Sequence, residues 1–288
     1  MRKTLPALLA LILFMSMSKD KPAYKIYTSK GKEVSFGQLV NEAKKADIVL
    51  FGELHNNPIV HWLQLELTKT LHEELGNKLA LGAEMFETDN SLIISEYLAG
   101  KVNDRNFESE ARLWPNYQTD YKPLLQYARD NQLNFVATNI PRRYAALVNR
   151  EGLESLDSLS SAAKSLIAPL PIEYDGKLSG YKAMLDMMAG SGHVNTNLPK
   201  AQAIKDATMS HFILQNFTKG EQTFLHFHGT YHSDDYQGIM WYLQKTNPGL
   251  KILTIHSTEA VDIEKIDDEI SGKADFLIVT PEIMTKTH

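Results

Sequence analysis

Polar side chains that could carry out chemistry come directly after four apolar runs of the sequence. They are Glu53 and His55 after the first run, Glu84 after the second, Asn139, Arg142 and Arg143 after the third, and His228 and His232 after the fourth. Such runs predict buried strands, and open α/β sheets bind ligands outside the carboxyl ends of their strands. Gly52 and Gly229 stand beside two of these ends, where the absence of a Cβ permits close approach of a ligand. The pattern predicts one polar pocket that could hold a metal ion, an anion or a water molecule activated by a carboxylate.

Histidine and glutamate together suit a divalent transition metal, through imidazole nitrogen and carboxylate oxygen. The candidate metal ligands are His55, Glu84 and His232. A metal held there would lower the pKa of a bound water, with Glu53 as the general base. These four residues and Arg142 form the candidate catalytic set. Glu53 and His55 lie two residues apart, so they do not share a helix face as the histidines of an HExxH motif do.

A structural interpretation of the same residues stays open. Charged groups at the end of a sheet are costly to desolvate unless they are paired. Glu53 could therefore pair with Arg142 or His232 and only order the loops. His226 and His228 share one face of a strand, and we expect at least one of them to be a hydrogen-bonded core histidine.

The elements that must position these residues alternate between strands and helices. Strands are predicted at 47–53, 78–86, 133–139, 223–228, 251–256 and 275–280, after a hairpin around Gly31. Helices are predicted at 58–75, 121–131, 141–149, 199–217 and 236–246. Several strands are apolar on both faces, so we expect an α/β fold whose mostly parallel central sheet is covered by helices. Segments at about 90–120 and 150–200 break this alternation and are predicted to be helical insertions that cap a single domain spanning 19–288.

The composition excludes several classes of protein. The 288 residues include no cysteine, which excludes disulfides, thiolate nucleophiles, zinc fingers and iron–sulfur clusters. The formal net charge is -5, so the chain has no domain-wide basic surface and nucleic acid is not expected as a partner. Neither a G-x-S-x-G elbow nor a phosphate-binding glycine loop is present, which leaves serine hydrolysis and nucleotide binding without support.

Residues 1–18 have the order of a secretory signal peptide. Arg2 and Lys3 precede an apolar run at 7–15, and the small residues Ser16 and Ser18 follow it. The run is shorter than the roughly 20 residues that cross a bilayer as a helix, and no later stretch is long and apolar enough. We expect export to the periplasm or to the outside of the cell, with no transmembrane segment in the mature chain.

The motifs at the strand ends resemble those of ChaN-like haem-binding proteins. The matching segments are Gly52–Pro58 (GELHNNP), Glu84–Phe86 (EMF), Asn139–Arg142 (NIPR), Ala201–Met209 (AQAIKDATM) and Gly229–His232 (GTYH). They occur in the same order over roughly residues 35–260. This family shares a superfamily with the Tiki metalloproteases, the TraB/PrgY proteins and the erythromycin esterases, which is marked by two G-x-x-H motifs and a glutamate between them. Gly52–His55, Gly229–His232 and Glu84 fit that pattern.

The resemblance implies an exported protein that binds haem, acts in haem or iron acquisition, and holds haem at a homodimer interface through a tyrosine ligand. An anionic phenolate favours ferric iron, and tyrosine is a known axial ligand of haem. The candidates in the inserted segment are Tyr174 and Tyr181 as ligands, Met184, Met187 and Met188 as apolar surface, and Lys182 and His193 for the propionates. A methionine-rich packing helix is the structural alternative. Relatives that are lipoproteins need a cysteine after the signal peptide, and this chain has none.

Two other functions stay open beside haem binding. The strand-end residues could belong to a metal-dependent hydrolase, either a Tiki-like protease or an esterase, or a histidine could activate water without a metal. Alternatively, the chain could be a binding module in which the polar pocket only orders loops.

Overall fold

The computed structural model of the protein describes residues 21–189 and 195–288, whose strands form one eight-stranded sheet. The strands are β1 (Lys25–Thr28), β2 (Glu33–Val34), β3 (Ile48–Glu53), β4 (Leu79–Glu87), β5 (Asn134–Asn139), β6 (Thr223–Gly229), β7 (Ile252–Ala260) and β8 (Phe276–Pro281). Their order across the sheet is β2-β1-β8-β7-β3-β6-β4-β5. The pairings from β8 to β5 are parallel, whereas β1 is antiparallel to both β2 and β8. The predicted α/β fold with a mostly parallel sheet is confirmed.

The helices of the described residues are α1 (Phe36–Ala43), α2 (Pro58–Leu75), α3 (Ser91–Leu98), α4 (Asp104–Glu110), α5 (Lys122–Asp130), α6 (Arg142–Glu151), α7 (Ser161–Lys164), α8 (Ser179–Ala189), α9 (Leu198–Gln215) and α10 (Ile239–Thr246). Helices α3 and α4 lie between β4 and β5, and α7 and α8 lie between β5 and β6. These are the segments where insertions are predicted; that they cap a single domain stays a prediction. Across residues 21–189 and 195–288, no helix is long and apolar enough to span a membrane.

Strand β3 lies inside the sheet and is buried along its whole length. Val49 and Phe51 belong to the apolar cluster that includes the buried face of α2. Ile48 and Leu50 belong to the cluster on the other face, which includes residues of α9 and α10. Successive side chains of a strand point to opposite faces, so a strand covered on both sides is apolar at every position.

Parallel register brings the candidate site residues to one edge of the sheet. Glu53, the last residue of β3, pairs with Gly229, the last residue of β6. Strand β4 lies on the other side of β6, where Ala83 pairs with Phe227 just before Glu84. Because parallel strands end at the same edge, the ends of β3, β6 and β4 meet there.

Helix α2 begins where the sequence predicts, and its start leads the chain away from this edge. Pro58 occupies the first turn, and the Asn57 side chain accepts from the backbone N–H groups of Ile59 and Val60. This is a proline start with an asparagine N-cap. The cap fixes the position of the short loop that carries His55.

The largest differences from the sequence prediction lie outside the sheet. Helix α1 is not predicted, although Ser35 and Gln38 form a capping box at its start. The helical insertion predicted at about 150–200 begins with a 3-10 helix at Leu153–Ser158 and the single turn of α7. A π-helical turn at Tyr117–Tyr121 precedes α5. Short elements of this kind carry too little hydrophobic periodicity to be recognised from a pattern.

We predict that Gly52→Ala destabilises the protein by about 1–3 kcal/mol, because the added methyl group would overpack the core. An added Cβ at Gly52 would lie 2.9 Å from Ile255 O and from Thr230 Cα, both backbone atoms that cannot move aside. The free energy of unfolding from urea titration measures the effect. Gly37→Ala is the control, because its Cβ would meet only Ser35 Oγ at 3.8 Å. Equal midpoints for the wild type and Gly52→Ala would contradict the prediction.

Candidate functional site

The first half of the strand-end cluster is built around the carboxylate of Glu53, which is buried at the end of β3. Glu53 Oε1 lies 2.9 Å from His55 Nδ1 and accepts from the Tyr121 hydroxyl at 2.6 Å. Glu53 Oε2 accepts from Gln64 Nε2 at 2.5 Å. Burial alone would raise the pKa of Glu53, but the neighbouring His61 and His55 rings outweigh burial and hold the pKa below its usual value. Glu53 is therefore an ionised carboxylate whose oxygens are hydrogen-bonded by protein groups in place of water.

His55 is the accessible member of this half. Its side chain is 43% exposed, and its ring meets the edge of Trp114 at a centroid distance of 4.8 Å. Burial lowers the pKa of His55, but the hydrogen bond and the charge of Glu53 outweigh this and raise the pKa above its ordinary value. A Cβ at Gly229 would lie 2.8 Å from His55 Nε2, so the glycine of the second G-x-x-H motif makes room for the histidine of the first.

His61 and Gln64 of α2 support the loop that carries His55. With Gln64 Nε2 directed at Glu53, its Oε1 atom faces His61 Nδ1 at 3.0 Å. His61 Nε2 faces the backbone carbonyl of His55 at 3.0 Å. Asn116 Nδ2 donates to the same carbonyl at 2.7 Å and to Asp120 at 2.6 Å. Both ring nitrogens of His61 thus face oxygen acceptors, and the backbone of His55 is held by two side chains.

The second half of the cluster is a histidine between two carboxylates. His232 Nε2 lies 3.2 Å from Glu84 Oε1, and His232 Nδ1 lies 2.5 Å from Asp206 Oδ1. Glu84 Oε2 also accepts from the backbone N–H of Gly229 at 2.8 Å. Burial lowers the pKa of His232, but the two carboxylates outweigh burial and raise the pKa to about 10. His232 is therefore an imidazolium that donates from both nitrogens at neutral pH.

Asp206 connects this half to α8. Its second oxygen, Oδ2, accepts from the Tyr181 hydroxyl at 2.8 Å. Tyr181 is 4% exposed, and the ring of Tyr174 stacks on it at a centroid distance of 5.6 Å. Burial raises the pKa of Tyr181, and the charge of Asp206 raises it further, so its hydroxyl stays protonated.

The predicted metal ligands His55, Glu84 and His232 are not arranged as a metal site. Among residues 21–189 and 195–288, no group of three or more histidine, aspartate and glutamate side chains is arranged to hold a metal ion. Both nitrogens of His232 face carboxylate oxygens, and His55 Nδ1 faces Glu53. The prediction of a divalent metal at this cluster is not supported.

Of the predicted catalytic residues, the structure brings Glu53, His55, Glu84 and His232 together and leaves out Arg142. Arg142 is exposed at the first position of α6. The structural interpretation proposed that Glu53 pairs with Arg142 or His232. Glu53 pairs with neither, because His55, Gln64 and Tyr121 already surround it. The chain turns into α6 right after Pro141, so the side chain of Arg142 lies at the surface.

The predicted haem-contacting residues lie on and around α8. Tyr181 is buried, Tyr174 is partly buried and Lys182 is exposed. His193 falls outside the described residues. Their assignment to haem binding stays a prediction.

Sequence reasoning gave no role to two residues that are central to the cluster, Asp206 and Tyr121. Asp206 lies within the resemblance segment Ala201–Met209, on a helix whose mixture of polar and apolar residues gives no clear sequence signal of which side is buried. Tyr121 is positioned by the π-helical turn that ends with it, and π turns occur frequently at functional sites. No spacing rule connects either residue to Glu53 or His232.

Two more histidines, His226 and His228, form a buried chain behind the cluster. Their Nδ1 atoms lie 3.0 Å apart, and Thr138 Oγ1 and Ser233 Oγ bond to the outer nitrogens at 2.7 and 2.8 Å. Thr138 donates to the carbonyl of Ala83, so His226 must donate from Nε2 and accept at Nδ1 from His228. Burial, with the nearby His232, lowers the pKa of His228 to about 3, so both rings are neutral core histidines.

The sequence matches the family described as haem-binding uptake, Tiki superfamily, ChaN, over residues 39–243. This is more than half of the chain. The chain belongs to the haem-binding ChaN family. The residues that carried the resemblance, from Gly52 to His232, all lie within the matched range, and Glu53, His55, Glu84, Asp206 and His232 meet in the cluster described above.

The chain is similar to solved structures in its fold and to one curated relative in its sequence. A structure described as cofacial heme binding to ChaN of Campylobacter jejuni has a TM-score of 0.65 and 16% identity, and the match covers 89% of this chain and 96% of that chain. A structural-genomics protein of Bacillus cereus has a TM-score of 0.51 and 14% identity, with 86% and 92% covered. Protein RETICULATA-RELATED 5, chloroplastic, of Arabidopsis thaliana is 27% identical over 210 residues, 67% of this chain. The chain spans about a quarter of the length of that relative, with 27% covered.

The cluster could in principle move a proton, because His55 is accessible and Glu53 orients its ring. Neither the ChaN family nor the matched structures favour the hydrolase alternative that such a pair would serve. The main chemical feature of the cluster is the stabilisation of buried negative charge. It holds the buried carboxylates Glu53, Glu84 and Asp206 through directed hydrogen bonds and the imidazolium of His232.

We predict that the protein loses stability, on the order of 4 kcal/mol, between pH 7 and pH 10 because of His232. The pKa of His232 in the folded protein, about 10, lies above that of a histidine in the unfolded chain. Its stabilisation is therefore complete below about pH 6.5 and is lost as the pH rises through the folded pKa. Urea unfolding at a series of pH values measures this slope.

The matching variant is His232→Gln, which should be less stable at pH 7 and show a shallower slope between pH 7 and pH 10. His72→Gln is the control, because His72 lies on α2 and bonds Tyr127 rather than the cluster. Parallel slopes in the wild type and His232→Gln would show that the imidazolium does not hold the two carboxylates.

Proposed function

We propose that this protein binds haem and acts in haem or iron acquisition. The observation that carries the proposal is the match to the haem-binding ChaN family over residues 39–243. The fold similarity to ChaN of Campylobacter jejuni, a protein described as binding haem cofacially, is consistent with it. The surface of the chain suggests where haem would bind.

The strand-end cluster is too enclosed for a flat porphyrin, whereas α8 and the residues after β6 offer an open apolar face. Met187 is 72% exposed and Tyr231 is 68% exposed. A cavity of about 280 Å³ lies beside Tyr231, and its lining includes Met184, Lys273 and the acidic residues Asp234 and Asp235. Methionine and tyrosine supply polarisable, partly apolar contact area, which suits an aromatic macrocycle. We call the surface formed by Met184, Met187 and Tyr231 the α8 face.

We place the tyrosine ligand at Tyr231, with Tyr174 as the second candidate. Tyr181 is 4% exposed and already donates to Asp206, so its oxygen would have to leave the core to reach iron. Tyr231 is exposed at the same face, and a phenolate there could ligate ferric iron. The ammonium groups of Lys273, at the cavity, and Lys182, on α8, could pair with the propionates.

We also propose that two copies of the chain meet across the α8 face when haem is bound. The proposal rests on the family and on the apolar side chains that the face exposes in a single copy. Burial of Met187 and Tyr231 against haem or a second copy would remove their apolar area from water.

Export is the remaining part of the proposal. The basic start, the apolar run at 7–15 and the small residues before 19 support a signal peptide. Those residues lie outside the described part of the chain, so the argument comes from the sequence alone. Haem or iron acquisition by an exported protein would start with capture outside the cytoplasm.

We predict that hemin added to the mature protein gives a Soret band, and that Tyr231→Phe shifts the band and weakens binding by about tenfold or more, because an iron ligand is lost. Absorbance titration with hemin measures both. Tyr127→Phe is the control, because its hydroxyl bonds His72 on the far helices. A wild type without a Soret band would refute haem binding, and an unchanged band in Tyr231→Phe would refute the ligand assignment; Tyr174→Phe then tests the second candidate.

We predict that the exported protein begins near residue 19 and that Leu11→Arg blocks export, because a charge interrupts the apolar run. Fractionation of expressing cells and the intact mass of the processed chain measure the outcome. Lys21→Ala, beyond the expected cleavage point, is the control and should be exported normally. A full-length chain found in the cytoplasm would contradict the proposal.

A further inference from the structure

Helix α8 lies at the surface of the protein and buries few of its side chains. Within residues 179–188 of this helix, Tyr181 is the one buried residue, and Lys182, Ala183, Asp186 and Met187 are exposed. The start of the helix has further contacts at the surface, where Gly180 N donates to Gln237 Oε1 at 3.2 Å. A helix with so little buried area depends strongly on each anchoring contact.

The hydroxyl of Tyr181 belongs to a continuous series of hydrogen bonds that starts at the sheet, and it also bonds the hydroxyl of Tyr242. Glu84 of β4 bonds His232, His232 bonds Asp206 of α9, and Asp206 bonds Tyr181 of α8, at 3.2, 2.5 and 2.8 Å. Every member of this series is at least nine-tenths buried. Water therefore does not compete for these bonds, and hydrogen bonds to a charged group in such surroundings are stronger than neutral ones.

The two ends of the series belong to different parts of the molecule. Glu84 and His232 are the residues of the family pattern, whereas Tyr181 lies on the helix that carries Met184 and Met187. Asp206 is the one carboxylate that contacts both His232 and Tyr181, one with each oxygen. An aspartate used in this way fixes the distance between α8 and the end of β6, where Tyr231 lies.

We propose that Asp206 is a positioning residue for haem binding, which holds α8 in register with Tyr231 through the hydroxyl of Tyr181. The proposal rests on the proposed haem function. It gives the Glu84–His232 pair a role in haem binding without contact with haem, because the pair fixes Asp206, Asp206 fixes Tyr181, and Tyr181 fixes the α8 face.

The test is Tyr181→Phe, which keeps the ring and removes only the hydroxyl that Asp206 accepts from. We expect hydrogen exchange of the α8 amides in the haem-free protein to rise roughly tenfold, as expected for the loss of one hydrogen bond to a charged group. We expect hemin affinity to fall by a similar factor, roughly tenfold, because α8 must then be ordered on binding. Asp206→Asn, which removes the charge and can accept a hydrogen bond from only one of the two partners, should show the same two effects.

Tyr97→Phe is the matched control. Tyr97 is fully buried and bonds a different carboxylate, Asp104 Oδ1 at 3.1 Å, between α3 and α4. We expect it to leave both the exchange of α8 and the hemin affinity unchanged. Unfolding free energies of all variants separate a local loosening of α8 from a general loss of stability.

Each outcome has a distinct meaning. Unchanged α8 exchange in Tyr181→Phe, or exchange that rises equally across the sheet, overturns the anchoring role whether or not haem binds. Faster α8 exchange with unchanged hemin affinity overturns the positioning role. If the wild type binds no hemin while Tyr181→Phe loosens α8, the proposed function fails and the anchor stands.

Discussion

The burial of three carboxylates at one edge of the sheet is the constraint on which the rest of the structure depends. Glu53, Glu84 and Asp206 are each at least 94% shielded from solvent, with exposures of 2%, 6% and 1%. A carboxylate buried without partners would take up a proton rather than keep its charge. Each must therefore find donors within the protein, and the elements around the cluster are arranged to supply them.

The donors come from elements far apart in the sequence, which explains several local features of the fold. The π-helical turn at Tyr117–Tyr121 brings a tyrosine hydroxyl to Glu53, and the asparagine cap of α2 sets the helix that carries Gln64. Gly229 supplies a backbone N–H to Glu84 and, having no Cβ, leaves space for the ring of His55. These features have a common origin, because each satisfies an oxygen that water cannot reach.

The sequence predicted the sheet and half of the cluster, for physical reasons that differ between the two. Strands such as β3 are apolar at every position because both faces are covered, and this signal is local and strong. Glu53, Glu84 and His232 could be found because they follow such strands. Asp206 and Tyr121 could not, because their importance lies in contacts across 26 and 68 residues, respectively, which no local period records. The metal prediction is not supported, because the residue types suit a metal while both nitrogens of His232 face carboxylates of the cluster.

Arg142 is a residue that the sequence assigned to the cluster and that the structure places outside it. It follows a buried strand just as Glu53 does, yet the proline before it turns the chain into α6 and the guanidinium reaches solvent. Position after a strand indicates the correct edge of the sheet, but the first turn of the next helix decides whether a side chain points toward the cluster. For a strand-end residue, therefore, the connection that follows matters as much as the strand itself.

Buried and exposed side chains have different roles in this molecule. A side chain that is fully enclosed can set positions and charges but cannot touch a ligand as large as haem, and an exposed one can touch haem but is poorly fixed in place. The Glu84–His232–Asp206 series is enclosed, and Met187 and Tyr231 are exposed. In the described residues, Tyr181 lies between these two groups, buried itself but carried by the exposed helix. Through the hydroxyl of Tyr181 the buried charges can fix the position of the exposed helix, because hydrogen bonds to a charge fix both distance and direction.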